Sequence, residues 1–294
     1  MQLLIYILTY PLIWFISILP FRILYLISDL IFLLLYYIIG YRKKVVTDNL
    51  NLSFPEKTTE ELQRIHKKFY RHFVDIFMEM IKTFTISEKV LRKRFKFTNI
   101  ELLHEVEKNG KSIMMIAGHY ANWEWLSSLS LHTKTPCYAV YAKIRNPYFS
   151  REVLRSRARF GFHLRHTSKI ISTIDQDAKA GTQAMYGFLN DQSPRIRKTH
   201  YWSNFMGVKV PIHTGSEMLA KKYDMNVVFM DTQKVKRGHY TCTFSLLTDK
   251  ASSFDDYNLT EVYLKKVEAQ IRKEPAYYFW THKRFKHKDK APKD

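Results

Sequence analysis

Cysteine, glycine and proline are scarce in this sequence, and each shortage excludes a class of protein. Its 294 residues include two cysteines, Cys137 and Cys242, which are too few for a disulfide scaffold and lack the spacing of a metal site. This sparse use of cysteine fits a reducing compartment. Nine glycines and nine prolines are too few for a fibrous or low-complexity protein. Hydrophobic residues make up 46%, so the chain can bury a sizeable core, which argues against intrinsic disorder.

Acidic residues are also few in relation to basic ones. The chain has 27 Asp and Glu against 47 Lys and Arg, a formal net charge of +20. A field of this sign favours an anionic partner, which could be a nucleic acid, an anionic lipid or an acidic carrier protein.

Charge is almost missing from the first forty residues. No residue before Arg22 is charged, and Asp29 is the only other charge up to Gly40. As one helix, residues 1–40 would be about 60 Å long at 1.5 Å per residue, twice the hydrocarbon thickness of a bilayer. Because Pro20 divides the stretch, either two helices enter the membrane, or one spans it and one lies at the interface. A buried core helix is the alternative, but two consecutive apolar pieces exceed what such a helix needs.

The residues around this stretch favour an anchor over a secretory signal. The basic amino-terminal region and the small-residue cleavage site of a typical signal peptide are missing. Arg42, Lys43 and Lys44 follow directly, and their positive charge predicts that this end lies in the cytoplasm. We therefore expect a membrane anchor over residues 1–40, which contributes little to the chemistry, and one domain over residues 41–294.

Helical and strand patterns alternate after the anchor. A link is predicted at 41–55, and the capping-box spacing of Thr58 and Glu61 opens a helix with an apolar stripe that reaches residue 84. Strands are predicted at 112–117, 137–142, 183–189, 226–234 and 238–247, and further helices at 100–108, 123–131, 147–160, 168–180, 215–223 and 259–273. This order predicts an α/β fold with a mixed, mainly parallel sheet flanked by helices, behind the anchor.

The sharpest motif follows the predicted strand 112–117. His119 lies in the turn after this strand, and Glu124 lies in the first turn of the next helix. Active sites in such sheets gather beyond the carboxyl ends of the strands. With His119 in the turn, the Glu124 carboxylate can fold back onto the imidazole. It would then fix the tautomer and stabilise the imidazolium that forms when His119 accepts a proton. A satisfied structural histidine with a capping carboxylate is the alternative.

No enzyme nucleophile accompanies this pair. The sequence has no G-x-S-x-G elbow, and Cys137 falls in a predicted buried strand, where thiols are usually inert. No second histidine lies close enough in sequence to suggest a metal, so we expect neither a metal ion nor another cofactor. The nucleophile is then a substrate hydroxyl deprotonated by His119, and direct transfer needs no covalent enzyme intermediate.

Basic residues cluster around the predicted helix 147–160. They are Lys143, Arg145, Arg151, Arg155, Arg157 and Arg159. Such a face could hold lipid phosphates or an acidic carrier, since arginine binds phosphate through bidentate geometry. A solvated charged face is the alternative. The segment 282–286 is also basic and suits either anionic headgroups or a solubilising tail.

Six segments resemble a known family. GHYANWEW at 118–125 looks like the His-x4-acid block of glycerolipid-type acyltransferases, and in detail it resembles the late acyltransferases of lipid A biosynthesis, the lauroyl/myristoyl transferase family. The other similar segments are NLNLSFPEK at 49–57, YAKIRNP at 141–147, RSRARFG at 155–161, NDQS at 190–193 and YYFWTHKRFK at 277–286. The resemblance covers almost the whole chain, and together these segments are far more specific than any one of them.

The resemblance implies a membrane-bound enzyme on the cytoplasmic face of the inner membrane. It would move a fatty acyl chain from acyl carrier protein to a hydroxyl of an anionic lipid, here a lipid A precursor, with no nucleic acid involved. By the same resemblance His119 and Glu124 are the catalytic pair. We expect the substrate to be bound by Arg145, which belongs to the basic face, and by four residues that match family elements, Arg157, Arg159, Asp191 and Gln192.

Three other functions remain open from the sequence. The same chemistry could act on another acceptor, such as a lysophospholipid or an amino-acid lipid. A hydrolase would use a similar His–acid pair to activate water. A basic binding protein without catalytic activity would explain the charge, but not the placement of His119 and Glu124.

Overall fold

One mixed sheet forms the centre of the protein. Among residues 1–141 and 145–292, which the computed structural model describes, seven strands follow the order β1–β9–β8–β2–β5–β3–β4, and β6 and β7 form a separate hairpin. The strands are β1 (Phe95–Phe97), β2 (Ile113–Ala117), β3 (Cys137–Tyr141), β4 (His163–His166), β5 (Met185–Leu189), β6 (Tyr201–Phe205), β7 (Val208–Ile212), β8 (Asn226–Lys236) and β9 (His239–Thr248). Within the seven-stranded sheet the pairs are parallel except β8 with β9. The predicted fold class is therefore confirmed.

Helices cover the sheet. They are α1 (Gln2–Ile18), α2 (Phe21–Leu33), α3 (Lys43–Ser53), α4 (Thr59–Lys82), α5 (Glu88–Arg94), α6 (Ile100–Glu107), α7 (Pro147–Ala158), α8 (Ile170–Lys179), α9 (Gly215–Lys222) and α10 (Asn258–Lys273). The predicted capping box opens α4, because the Thr58 backbone N–H donates to the Glu61 carboxylate at 2.8 Å and the Glu61 N–H donates to the Thr58 hydroxyl at 3.2 Å.

Two predicted segments differ from the structure. The link at 41–55 is mostly the helix α3, which buries Val46 and Leu50 on one face. The Asn49 side chain of this helix donates to the backbone carbonyls of Trp280 and His282. Contacts distant in sequence therefore stabilise a helix whose own apolar stripe is short. The predicted α-helix 123–131 is a 3₁₀ helix, Trp123–Leu131. The strands β1, β4, β6 and β7, which have three to five residues each, were not predicted.

The apolar amino-terminal segment forms two helices. Helix α2 continues as a π-helical stretch, and Phe21–Ile39 is the one helix in the described part of the chain that is long and apolar enough to cross a membrane. Helix α1 is apolar but shorter. These features fit an anchor. Helix α2 also packs on α4, and its inner face, Leu24, Ser28 and Phe32, is almost completely buried.

The two faces of α2 should differ in their effect on stability. Leu24 is 0% exposed, whereas Leu26 is 64% exposed on the outer face. We expect Leu24→Ala to lower the free energy of unfolding by about 2–5 kcal/mol, because it leaves a cavity against α4. Leu26→Ala should change it by less than about 0.5 kcal/mol. Thermal unfolding of both variants in the same detergent tests this, and equal effects would mean that α2 does not pack on the domain.

Candidate active site

The register of two parallel strands brings His119 and Asp191 together. Strand β2 pairs with β5 so that Ala117 lies opposite Leu189, and each of the two polar residues follows its strand at the same distance in sequence. The His119 Nδ1 atom lies 2.7 Å from Asp191 Oδ1, and the His119 backbone N–H donates to Asp191 Oδ2 at 3.0 Å. Both carboxylate oxygens are therefore used to hold one histidine.

Asp191 is ionised although it is completely buried. Burial by itself would raise the pKa of this carboxyl, but the charge of His119 and the hydrogen bonds from it outweigh burial and lower the pKa below its ordinary value. An ionised Asp191 can only accept, so Nδ1 of His119 must carry a proton and Nε2 of the neutral ring is left as a proton acceptor. The ring packs on Trp123 and Phe279, with centroids 5.5 and 6.1 Å away.

Glu124 does not take the position that the sequence predicted. Its two oxygens accept from Arg157, at 2.8 Å from Nε and at 2.6 Å from Nη2. The hydrogen bond that His119 was expected to donate to Glu124 is therefore replaced by the one to Asp191. Asp191 follows the strand adjacent to β2, whereas Glu124 lies in the first turn of the 3₁₀ helix after the loop. Glu124 still lines the same cavity as His119, and its catalytic role stays a prediction.

The predicted basic face divides into separate groups. Arg157 lines the cavity, whereas Arg159 donates to the Thr83 carbonyl at 2.6 Å. Arg145 is exposed just before α7, and Lys143 lies outside the described residues. Two further arginines of the face, Arg151 and Arg155, are largely exposed and pair with Glu152. Of the predicted substrate-binding arginines, Arg157 is thus the one placed beside His119, and Gln192 lines the same cavity.

A deep apolar cavity of about 730 Å³ opens beside His119. The polar residues that line it include His119, Glu124, Arg157 and Gln192. Its apolar wall comes from four adjacent strands and the helices that cover them, and includes Met115, Leu126, Leu129, Ala139, Phe162, Leu164, Ile170, Met185, Gly187 and Leu189. Met185 lies at the start of β5 and Leu189 at its end, so the cavity runs about 13 Å along this strand. A site of this size and polarity suits an elongated apolar ligand.

The carboxyl-terminal segment is part of the site rather than a solvated tail. The backbone N–H of Phe279 donates to the His119 carbonyl at 3.1 Å, and that of Ala121 donates to the Tyr277 carbonyl at 2.9 Å. Further along, His282 Nε2 accepts from the Ser193 N–H at 3.1 Å. Trp280 and Arg284 are buried, so the tail hypothesis is wrong for this part. The aromatic run 277–280 was the sequence signal for this packing.

The thiols are not available as nucleophiles. Cys137 and Cys242 are both buried, Cys137 in the strand predicted for it. Burial raises the pKa of the Cys137 thiol to about 12, and it raises that of Cys242 further above the ordinary range.

Comparisons with known proteins agree with the motifs. Residues 2–287 match the model of a family described as bacterial lipid A biosynthesis acyltransferase. The chain is 20% identical over 247 residues to the lipid A biosynthesis palmitoleoyltransferase of Escherichia coli (strain K12). The aligned region covers 83% of this chain and 79% of that protein. It is 23% identical over 246 residues to the lipid A biosynthesis lauroyltransferase of the same strain, with the same two coverages. The resemblance inferred from the six segments is thereby confirmed.

The contact between His282 and Ser193 should make stability depend on pH. Burial lowers the pKa of His282 from 6.5 to about 4. Between these values the unfolded chain binds more protons than the folded one, so stability falls as the pH decreases from 6.5 towards 4. We expect the wild type to lose about 1–2 kcal/mol more than His282→Gln between pH 7 and pH 5, measured by chemical unfolding. Identical losses in the two proteins would contradict the buried, neutral His282.

Proposed function

Since the chain belongs to the bacterial lipid A biosynthesis acyltransferase family, we propose that it transfers a fatty acyl chain from a thioester to a hydroxyl of a lipid A precursor, with His119 as general base. The observation that carries this proposal is the His119 ring, which is held by ionised Asp191 and lines an apolar cavity. Membership of the family makes the chain an acyltransferase. We propose the identity of the acyl donor, the acceptor hydroxyl and the roles of the individual residues.

The chemical step needs one proton acceptor and no covalent enzyme intermediate. His119 Nε2 accepts the proton of the acceptor hydroxyl while the oxygen attacks the thioester carbonyl carbon. The tetrahedral intermediate then breaks its carbon–sulfur bond, and the leaving thiolate takes the proton from the imidazolium. Asp191 stabilises the imidazolium between these two events and keeps Nδ1 protonated. The products are the lipid ester and the free thiol.

Arg157 brings a positive charge to the cavity that His119 lines. Glu124 binds the Nε and Nη2 edge of the guanidinium, which leaves Nη1 outside that fork. The ion pair is mostly buried, with side chains 27% and 11% exposed, so Arg157 has a fixed orientation. We assign Arg157 to the thioester oxyanion or to a lipid phosphate, both of which are anionic oxygens that arginine binds well. Glu124 then acts by orienting Arg157.

The apolar cavity is the proposed site of the fatty acyl chain. Most of its lining is hydrophobic, and His119 is one of its polar groups. An acyl chain buried there would place its carbonyl carbon at the polar end, next to the base. Burial of each methylene contributes about 0.8 kcal/mol, so a long chain is favoured until the cavity is full.

Charge and hydrophobicity support the proposed donor and location. A net charge of +20 supports an acidic acyl carrier protein as the donor and an anionic lipid as the acceptor. The apolar helix Phe21–Ile39 supports attachment to the inner membrane. The basic residues Arg42, Lys43 and Lys44 directly after it support a catalytic domain on the cytoplasmic face.

The base should be tested in the full-length protein in detergent, with acyl carrier protein thioester as donor and a lipid A precursor as acceptor. We expect His119→Ala to lower kcat by about two to four decades. Asp191→Asn should be similarly impaired because it no longer fixes the tautomer, and the double variant should be little worse than the worse single one. The measurement is the amount of ester product by mass spectrometry.

Two surface variants serve as controls for these measurements. His104→Ala, in α6, and Asp289→Asn, with a side chain 83% exposed, lie outside the cavity lining and should keep wild-type turnover. Near wild-type turnover in His119→Ala would overturn the mechanism. Release of free fatty acid in place of the ester would indicate hydrolysis instead of transfer.

The length of the accepted acyl chain should depend on Gly187. This residue lines the cavity from β5, and a Cβ there would contact only the Tyr138 carbonyl, at 3.4 Å, so a side chain can be accommodated. We expect Gly187→Leu to reduce kcat/KM for the longest acyl donors while short donors remain good substrates. Ala178→Leu, on the exposed face of α8, is the matched control. An equal decrease for all donor lengths would contradict the assignment of the cavity.

A further inference from the structure

A buried carboxylate lies outside the cavity and joins three parts of the fold. Glu79 of α4 is 0% exposed and accepts three hydrogen bonds. The donors are the Asn122 amide at 2.6 Å, the Tyr25 hydroxyl at 2.8 Å and the Tyr240 hydroxyl at 2.9 Å. A buried carboxylate that lost these donors would be strongly destabilising, so the three partners are fixed in relation to one another.

The first partner, Asn122, lies inside the loop that connects His119 to Glu124. Its Nδ2 donates to Glu79, and its Oδ1 accepts from the Trp125 backbone N–H at 3.1 Å. The preceding residue, Ala121, has a φ of 51°, a left-handed conformation that costs an alanine about 1–2 kcal/mol. Such a conformation persists when the surroundings hold it, and the buried bond between Asn122 and Glu79 is one of these contacts.

The second partner, Tyr25, belongs to the apolar helix α2. Its ring lies against the β8–β9 turn, where a Cβ on Gly238 would collide with the phenol. Close by, the Ser28 hydroxyl donates to Asp75 of α4 at 2.7 Å, and Arg237 of the turn bridges Asp29 and Asp75. Tyr25, Ser28 and Asp29 of this otherwise apolar helix therefore face the domain and fix its position on α4.

We propose that Glu79 is a positioning residue through which Tyr25 of the apolar helix α2 sets the conformation of the loop that carries His119 and Glu124. This inference rests on the proposed function of that loop. It means that residues 1–40 are needed for turnover as well as for attachment, in contrast to the expectation that they contribute little to the chemistry.

Exchange of the amide and the carboxylate provides a sharp test. In Asn122→Asp a second carboxyl group faces Glu79 at hydrogen-bond distance, where the two groups either repel each other or share a proton. Both arrangements remove the amide donor and should displace the loop. A displacement of the order of 1 Å can lower turnover by about 100-fold, so we expect a loss of about 10- to 100-fold in kcat with little change in KM for the acceptor. The double variant Glu79→Gln with Asn122→Asp places an amide donor opposite a carboxylate again, and it should recover most of the lost activity.

The link to the apolar helix is tested by removing one oxygen. Tyr25→Phe keeps the ring and should lower kcat by about 3- to 10-fold, the equivalent of one hydrogen bond. Tyr37→Phe in the same apolar segment, where the ring is 57% exposed, is the matched control and should keep wild-type kcat. Both variants are compared at equal folded concentration in the same detergent, with His119→Ala as the inactive reference.

The outcomes separate this inference from the proposed function. Wild-type kcat in Tyr25→Phe and in Asn122→Asp, with an active wild type, would overturn the inference and leave the proposed function intact. If Asn122→Asp fails to fold, Tyr25→Phe decides the question, because it removes no packing atoms besides the hydroxyl. A wild type that transfers no acyl chain would overturn the proposed function, and this inference with it.

Discussion

The parallel pairing of β2 with β5 is the constraint on which the site depends. Because Ala117 lies opposite Leu189, the chain delivers a histidine and an aspartate to the same point beyond the sheet. The backbone N–H of His119 and its imidazole then share one buried carboxylate. A slip of one residue in this register would turn the neighbouring side chains to the opposite face and separate the pair.

Buried carboxyl groups recur around this point, and three of them have close partners. Asp191 is held by His119, Glu124 by Arg157, and Glu79 by two tyrosines and an asparagine. Unpaired buried charges are destabilising, so these partners fix the geometry of a loop that contains a left-handed alanine. The resulting site is rigid on its polar side and hydrophobic on the other, which suits a reaction at the end of an apolar chain.

Much of the fold could be predicted from the sequence, because it is encoded in local patterns. The buried strand before His119, the hairpin of β8 and β9 and the capping box of α4 all follow from short apolar runs and turn residues. The partner of His119 could not be predicted in the same way. Strand β3 separates β2 from β5 in the sequence, whereas β2 and β5 are adjacent in the sheet. The sequence therefore indicated Glu124, the carboxylate that follows His119 most closely along the chain, as the partner of His119. Helix α3 and the segment around Trp280 were missed for a related reason, since their stability comes from contacts distant in sequence.

The central claim is that this chain adds an acyl chain to a lipid A precursor by using a histidine held by Asp191. The most direct measurement is the mass of lipid A from cells that lack the gene and carry either the wild-type chain or Asp191→Asn. We predict that the wild-type chain restores a lipid A species heavier by one fatty acyl group, and that the Asp191→Asn chain, present in the membrane at the same level, leaves the lighter species. An equal amount of the heavier species in both strains would contradict the account.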